Sequence, residues 1–127
     1  MAGVRKSVRI TELPCELASR EILPSIRAAI VRVLVEERGY SKYTVAKMMG
    51  LTPASITYYM SGRRGNPDLQ KKLLNSDYRR VVEALADIIE RAWKQGADIG
   101  AYTRYRNLVC TICSGFNPLA RAAGCPR

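Results

Sequence analysis

The sequence lacks histidine altogether and contains only one tryptophan and one phenylalanine. It also lacks a glycine-rich phosphate loop and a carboxylate pair in a catalytic pattern, and these absences together argue against an enzyme. No run of eighteen apolar residues occurs, so we expect no membrane span. The basic N-terminus is not followed by the apolar stretch of a signal peptide, which favours a cytoplasmic protein.

Acidic residues are few compared with basic ones. The chain of 127 residues has 21 lysines and arginines against 11 aspartates and glutamates, a formal net charge of +10 at pH 7. The excess is concentrated between residues 39 and 72, where six basic residues stand against one acidic residue, a local net of +5. Such a concentration predicts a polyanionic partner, whereas the alternative is that the charge only keeps the protein soluble.

Apolar residues recur at helical spacing through most of the chain, and no strand pattern or internal repeat is visible, so the predicted class is all-α. The predicted helices span residues 16–38, 42–49, 53–60, 78–94 and 99–113. Pro24 either starts the first helix or kinks it. The stretch 63–77 is predicted to be a loop with at most one helical turn.

The segment 41–65, SKYTVAKMMGLTPASITYYMSGRRG, contains two short helical patterns separated by one glycine. Two helices that cross closely need a small residue at the crossing and a positive φ at the turn, which Ala46 and Gly50 supply. Thr52 is placed to cap the second helix, with Pro53 in its first turn. The apolar residues that would fill the wedge are Val45, Met49, Leu51, Ile56 and Tyr59. The pattern predicts a helix-turn-helix, and the alternative is a generic helical hairpin within a bundle.

In a helix-turn-helix the second helix enters the DNA major groove with its N-terminal end first. Ser55 and Thr57 at this end suit base edges or phosphate, and Ala54 suits a thymine methyl group. Arg63 and Arg64 follow the helix and are expected to contact phosphates. The predicted DNA-binding residues are Lys42, Thr44, Thr52, Ala54, Ser55, Thr57, Tyr58, Arg63 and Arg64. None of them is placed by sequence for a bidentate arginine–guanine or asparagine–adenine contact, so no operator is forecast.

The four cysteines are Cys15, Cys110, Cys113 and Cys125. Cys110 and Cys113 lie one helical turn apart, a spacing that suits two ligands of one metal centre. Four thiolates match either zinc or an iron–sulfur cluster of the 4Fe-4S or 2Fe-2S type. Zinc ribbons normally have two Cys-x2-Cys pairs and this chain has one, whereas a proline after a cysteine is common among cluster ligands. The third alternative is no metal, which includes structural disulfides.

The segment YSKYTVAKMMGLTPASITYYMSGRRG resembles the helix-turn-helix of the Xre/λ-repressor-like class. With the preceding PCELASREILPSIRAAIVRVL and the later CTIC, the chain from Leu13 to Cys125 resembles a group of predicted archaeal transcriptional regulators. The resemblance implies a DNA-binding regulator, and it favours an iron–sulfur cluster over zinc for the cysteines. The motif of this group often has glutamine where this chain has Pro53, so the resemblance implies no base contact from that position.

These observations predict three parts of the chain. Residues 1–13 form a flexible basic arm that either reaches a minor groove or is disordered. Residues 14–75 form a helix-turn-helix DNA-binding domain, and residues 76–127 form a helical segment for dimerisation and the cysteine cluster.

We expect a homodimer on double-stranded DNA, because such domains usually pair to reach two half-sites. The helix at 78–94 is apolar over much of its circumference and is the predicted dimer surface, together with the widened apolar face of the first helix; burial within one subunit is the alternative. The predicted function is a DNA-binding transcriptional regulator that senses redox or iron status through an iron–sulfur cluster. The alternative is a basic architectural or RNA-associated protein with structural zinc or disulfides.

Overall fold

The computed structural model describes residues 13–96 and 99–117, and every regular element in these ranges is helical, which confirms the all-α prediction. The helices are α1 (14–37), α2 (Lys42–Met49), α3 (Pro53–Met60), α4 (Pro67–Leu74), α5 (Tyr78–Gln95) and α6 (Ile99–Phe116). None of these helices combines the length and the apolar character that crossing a bilayer requires. Most of the predicted basic arm, and Cys125, lie outside the described residues.

Helix α1 continues through Pro24 without a break. Its α-helical parts, Pro14–Leu17 and Leu23–Arg32, alternate with the π-helical parts Ala18–Ile22 and Val33–Glu37. A proline inside a helix removes one hydrogen bond and crowds the carbonyl group four residues earlier. The wider π turn just before Pro24 relieves this crowding, so the proline neither starts nor ends the helix.

Helix α1 is the centre of the fold, because each of the other five helices contacts it. Its buried apolar residues are Leu17, Ala18, Ile22, Ile26, Ala28, Ala29, Ile30, Val31, Val33 and Leu34. They cover more than one side of the helix, as predicted from the widened apolar stripe. Val31 belongs to that widened face and is fully buried within the chain, so it is not available as a dimer surface.

Helix α4 occupies a stretch that the sequence analysis assigned to a loop. The side-chain oxygen of Asn66 caps it by accepting hydrogen bonds from the N–H groups of Asp68 and Leu69, at 3.0 and 3.3 Å. Leu69 and Leu73 are buried, and the helix packs against α1 and α5. The loop prediction was wrong because these two leucines gain a partner surface that only the tertiary fold supplies.

The apolar side of α5 is largely used inside the subunit. Its buried residues are Val82, Leu85, Ala86 and Ile89, and α5 packs against α1, α2, α4 and α6. Exposed large apolar side chains remain near the junction of α5 and α6, where Trp93 is 47%, Ile99 81% and Tyr102 62% exposed. Of the large apolar residues in the predicted dimer helix, Trp93 is therefore the exposed one among the described residues.

Helix α6 extends three residues beyond its predicted end, because its last turn packs against the start of α5. The rings of Phe116 and Tyr78 lie 4.8 Å apart between centroids. A Cβ atom on Gly115 would clash with the Tyr78 hydroxyl oxygen, so a larger residue here would force the Tyr78 side chain to shift. One apolar core thus includes residues on both sides of residue 75, where the sequence analysis placed a domain boundary.

The loop between α1 and α2 is fixed to α5 by a charged network. Arg38 forms ion pairs with Asp87, at 2.8 Å, and with Glu90. The Tyr40 hydroxyl donates a hydrogen bond to the second carboxylate oxygen of Glu90 at 2.9 Å. Partial burial acts to raise the pKa of Glu90, but the hydrogen bonds from Arg38 and Tyr40 outweigh it and hold this pKa below its ordinary value.

Candidate nucleic-acid interface

Helices α2 and α3 pack closely across a three-residue turn. Ala46 is 2% exposed, and Val45, Ile56 and Tyr59 are buried beside it. Gly50 has a φ of +67°, and the N–H of the next residue bonds the Ala46 carbonyl oxygen at 2.8 Å. The small residue at the crossing and the left-handed glycine therefore lie where the sequence predicted them, and the first residues of α3 are left at the surface.

Hydroxyl groups cap the N-termini of both short helices. Ser41 Oγ accepts from the Thr44 N–H at 3.1 Å and donates to Thr44 Oγ1 at 2.9 Å. Thr52 Oγ1 accepts from the Ser55 N–H at 3.1 Å and donates to Ser55 Oγ at 3.0 Å. Both hydrogen-bonding directions of the Thr52 hydroxyl are thus used within the protein, so this predicted DNA-binding residue acts first as a cap.

The outward side of α3 carries small polar groups. Ala54 and Thr57 are exposed, whereas Ser55 and Tyr58 are half-buried. The Thr57 hydroxyl donates to the Pro53 carbonyl oxygen at 3.2 Å, so its lone pairs are the part left for a ligand. Ser55 Oγ already accepts from Thr52, which leaves its own proton to donate. On the outward side of α3, Ser55 can therefore donate a hydrogen bond to a ligand and Thr57 can accept one.

The chain after α3 turns back sharply through two glycines. Gly62, with a φ of +81°, closes α3 in a Schellman arrangement, in which the Arg63 N–H bonds the Tyr58 carbonyl oxygen at 3.0 Å. Gly65, with a φ of +84°, lies against α1, where an added Cβ would be 3.0 Å from the Ser25 nitrogen. The buried Ser25 Oγ accepts from the Asn66 N–H at 2.7 Å. The loop that carries the two arginines is therefore clamped to α1.

Arg64 folds back along α3 as a result of this turn. Its Nη1 atom donates to Ser55 Oγ at 3.0 Å, and its guanidinium carbon lies 5.3 Å from the Tyr58 ring centroid and 5.8 Å from that of Tyr59. Arg63 lies 5.7 Å from the Tyr58 centroid. The sequence analysis gave both arginines the same role at phosphates, whereas the structure separates them. Arg64 lies beside the N-terminal half of α3, the part that reads bases when such a helix enters the major groove.

The far end of α3 is held by α1. Arg32 Nη2 donates to the Met60 carbonyl oxygen at 2.8 Å, so a cation binds one of the free carbonyl groups at the C-terminus of α3. Arg32 also bonds Glu36 at 3.2 Å. Both ends of α3 are therefore fixed, the first by its own cap and the last by α1.

The charges around α3 are unbalanced. No acidic residue occurs between Glu37 and Asp68. The exposed basic side chains of this stretch are Lys42, Lys47, Arg63 and Arg64. In residues 13–96 and 99–117 none of these four forms an ion pair, whereas Arg32 of α1, Arg38 of the following loop and Arg79 of α5 all do. Unneutralised cations on one surface are the electrostatic feature of a protein that binds a polyanion.

An exposed tyrosine lies at the start of α2. Tyr43 is 60% exposed, and Lys47 Nζ lies 4.7 Å from its ring centroid. Lys42 precedes it and is exposed, while Thr44 is half-buried with its N–H bonded to Ser41. The sequence analysis did not select Tyr43 or Lys47, although their spacing of four residues places them on one helix face.

Three of the four cysteines lie among the described residues. Cys110 and Cys113 lie one turn apart on α6 and are half-buried, Cys15 is exposed in the first turn of α1, and Cys125 is not among the described residues. In the described parts of the chain, no three cysteine, aspartate or glutamate side chains are grouped so that they could hold a metal ion. These residues alone do not make a four-thiolate site, and the iron–sulfur cluster and zinc stay predictions.

Comparisons of this chain with models of known protein families, with curated proteins and with solved structures find no match. The resemblance drawn from the sequence motifs therefore stays a prediction. The features of this chain that bear on function are the geometry and charge of α2, α3 and the loop that follows them.

Proposed function

We propose that this protein is a double-stranded-DNA-binding transcriptional regulator in which α2 and α3 act as a helix-turn-helix and α3 enters the major groove. The observation that carries the proposal is the surface around α3, where small polar side chains are surrounded by four cations without ion-pair partners in the described residues. A helix about as wide as the major groove, with small side chains at its N-terminal end, can approach base edges closely.

The proposal gives Arg63 and Arg64 different roles. Arg63 is exposed at the end of α3 and would contact a phosphate, which adds affinity without sequence preference. Arg64 is held beside Ser55 and would present its guanidinium group to a base edge, where arginine prefers guanine. Its contacts with two tyrosine rings and a serine hydroxyl fix its direction before DNA binds, which reduces the entropy lost on binding.

Binding of two half-sites requires two copies, and we include a homodimer in the proposal. The support for it is the exposure of three large apolar side chains near the ends where α5 and α6 adjoin, Trp93, Ile99 and Tyr102, because large exposed apolar side chains can mark interaction sites. Sedimentation of the wild type and of Trp93→Lys tests it, and a wild type that stays monomeric with its DNA would remove the dimer from the proposal.

The cysteine-ligated sensor is a separate part of the proposal. Its support is the Cys110–Cys113 spacing on α6 and the packing of α6 against the first half of α1, the helix in which Cys15 lies. A bound cluster would supply a redox-sensitive link between these helices. DNA binding through α3 does not depend on this link, so a protein without the cluster would still bind DNA.

The experiment is selection of binding sites from a random duplex pool, followed by titration of selected and random duplexes at several salt concentrations. We expect the wild type to prefer its selected site by orders of magnitude. Arg63→Ala should weaken both duplexes alike and reduce the salt slope by about 1, whereas Arg64→Ala should mainly reduce the preference, by about 1–3 kcal/mol.

A wild type that binds DNA or RNA without sequence preference would instead support the basic architectural or RNA-associated alternative. Equal, uniform losses for both arginine variants would show that Arg64 reads no base. Ser55→Arg and Thr57→Ala serve as further checks, because changes on the outward side of α3 should alter the selected sequence rather than only the affinity.

A further inference from the structure

A cleft lies between the C-terminal end of α2 and the helices α5 and α6. It consists of two adjoining cavities of about 290 and 190 Å³ that share Met48, Ile89 and Tyr105 as lining residues. A single water needs roughly 10–15 Å³ in such a measure, so the space suits a small organic molecule. Most of the other lining side chains are apolar: Met49 and Leu51 in the larger cavity, and Ile88, Ala92 and Ala101 in the smaller.

Two polar residues that line the cleft have no hydrogen-bond or ion-pair partner within the described residues. Arg27, from α1, lines the larger cavity, and it forms neither a hydrogen bond nor an ion pair there. Tyr105 lines both cavities, and its hydroxyl group has no hydrogen-bond partner among the described residues. Both residues line the larger cavity. Burial raises the pKa of Tyr105, and the positive charge of Arg27 partly opposes this.

The chemistry of the cleft selects one class of ligand. A guanidinium and a protonated phenol are both donors, and together they suit a carboxylate, which accepts from each of them. The methionines and aliphatic side chains suit an apolar body, since methionine side chains adapt to ligands of irregular shape. We propose that this cleft binds a small carboxylate with an aromatic or aliphatic body, with Arg27 and Tyr105 holding the carboxylate group.

The position of the cleft gives its ligand a means of regulation. Met48, Met49 and Leu51 are the end of α2 and part of the turn before α3, so a molecule in the cleft would contact the helix-turn-helix at residues other than its predicted DNA-binding ones. Binding there would change the free energy of tilting α2 and α3 against α5 and α6, and thus the affinity for DNA. This coupling rests on the proposed function, whereas the ligand site itself does not.

The test is isothermal titration calorimetry of the full chain with 4-phenylbutyrate and, as a neutral probe of the same shape, 4-phenylbutan-1-ol. We expect the carboxylate to bind the wild type about tenfold more tightly than the alcohol, because a charge-assisted hydrogen bond is lost in the alcohol. Arg27→Gln, at an exposed position, should bring the two affinities together. Tyr105→Phe should weaken the carboxylate more than the alcohol. Arg91→Gln, also exposed but lining a different cavity, should keep the tenfold difference.

Absence of binding, equal affinities of the wild type for the two probes, or an equal loss in Arg27→Gln and Arg91→Gln would overturn the ligand site. The coupling is tested on the selected DNA duplex. There 4-phenylbutyrate should shift the DNA affinity of the wild type and not that of Arg27→Gln, and an unchanged wild-type affinity would overturn the coupling. If no duplex is bound at all, the proposed function fails, while the calorimetry still decides the ligand site.

Discussion

Replacing Gly65 and Gly50 by alanine, one at a time, separates the cost of backbone strain from the cost of steric contact. Backbone strain applies at both positions, whereas steric contact applies only at Gly65. Both have a positive φ, +84° for Gly65 and +67° for Gly50. An added Cβ at Gly50 would meet nothing within 4 Å. At Gly65 it would lie 3.0 Å from the nitrogen of Ser25 and 3.1 Å from the Pro24 carbonyl carbon. These are backbone atoms of the central helix, so they cannot move away at small cost.

The expected magnitudes follow from this difference. An alanine held in the left-handed region costs about 1–2 kcal/mol, and this cost applies at both positions. Overpacking against a fixed neighbour adds about 1–3 kcal/mol, and this cost applies only at Gly65. Gly50→Ala should therefore lower the free energy of unfolding by about 1–2 kcal/mol and Gly65→Ala by about 2–5 kcal/mol.

Urea denaturation followed by far-ultraviolet circular dichroism measures both values in one assay. Gly96→Ala is a further control, since Gly96 also has a positive φ with open space around it and should resemble Gly50→Ala. Equal losses for Gly65→Ala and Gly50→Ala would refute the reasoning, because the loop carrying Arg63 and Arg64 would then not be clamped to α1 in solution.

Three further predictions concern the clamp, the charged network and the cysteines. Ser25→Ala should cost about 1–3 kcal/mol in the same assay, because the half-buried Asn66 loses the hydroxyl that accepts from its N–H, and an unchanged midpoint would contradict this. Glu90→Gln should cost about 1–3 kcal/mol at neutral pH. Because the folded state lowers the pKa of Glu90, the difference from the wild type should be complete above the unfolded pKa and should shrink as the pH falls through the lowered folded pKa; a difference that does not change with pH would contradict the assignment. Protein purified without oxygen should show visible charge-transfer absorption and contain iron, and protein with neither band nor iron would remove the sensor and leave DNA binding intact.

The sequence predicted those parts of the fold that depend on local signals. The bounds of α2 and α3 follow from a small residue, a glycine and a threonine–proline cap, each of which acts within a few residues. Helix α4 was missed although Asn66 and Pro67 mark its start, because its stability depends on burying Leu69 and Leu73 against helices distant in sequence. The passage of α1 through Pro24 depends on a π turn that no apolar spacing indicates.

In the candidate site, too, the features that depend on local signals were predicted and those that depend on tertiary contacts were not. Helical periodicity predicts that Ala54, Ser55, Thr57 and Tyr58 are exposed on α3. Ala54 and Thr57 are exposed, whereas Ser55 and Tyr58 are half-buried. The contact between Arg64 and Ser55 was not predicted, because it depends on two consecutive turns, at Gly62 and Gly65, that fold the chain back along the helix. Turns and contacts of this kind determine which of the two adjacent arginines lies beside the N-terminal half of α3.

The central claim is that the N-terminal half of α3 lies against DNA bases. Nuclear magnetic resonance titration of the ¹⁵N-labelled protein with its selected duplex tests this most directly. The account predicts that the largest backbone amide shifts fall on residues 54–58 and on Arg63 and Arg64, with small shifts in the middle of α5. Shifts confined to α5 and α6, with α3 unchanged, would contradict it.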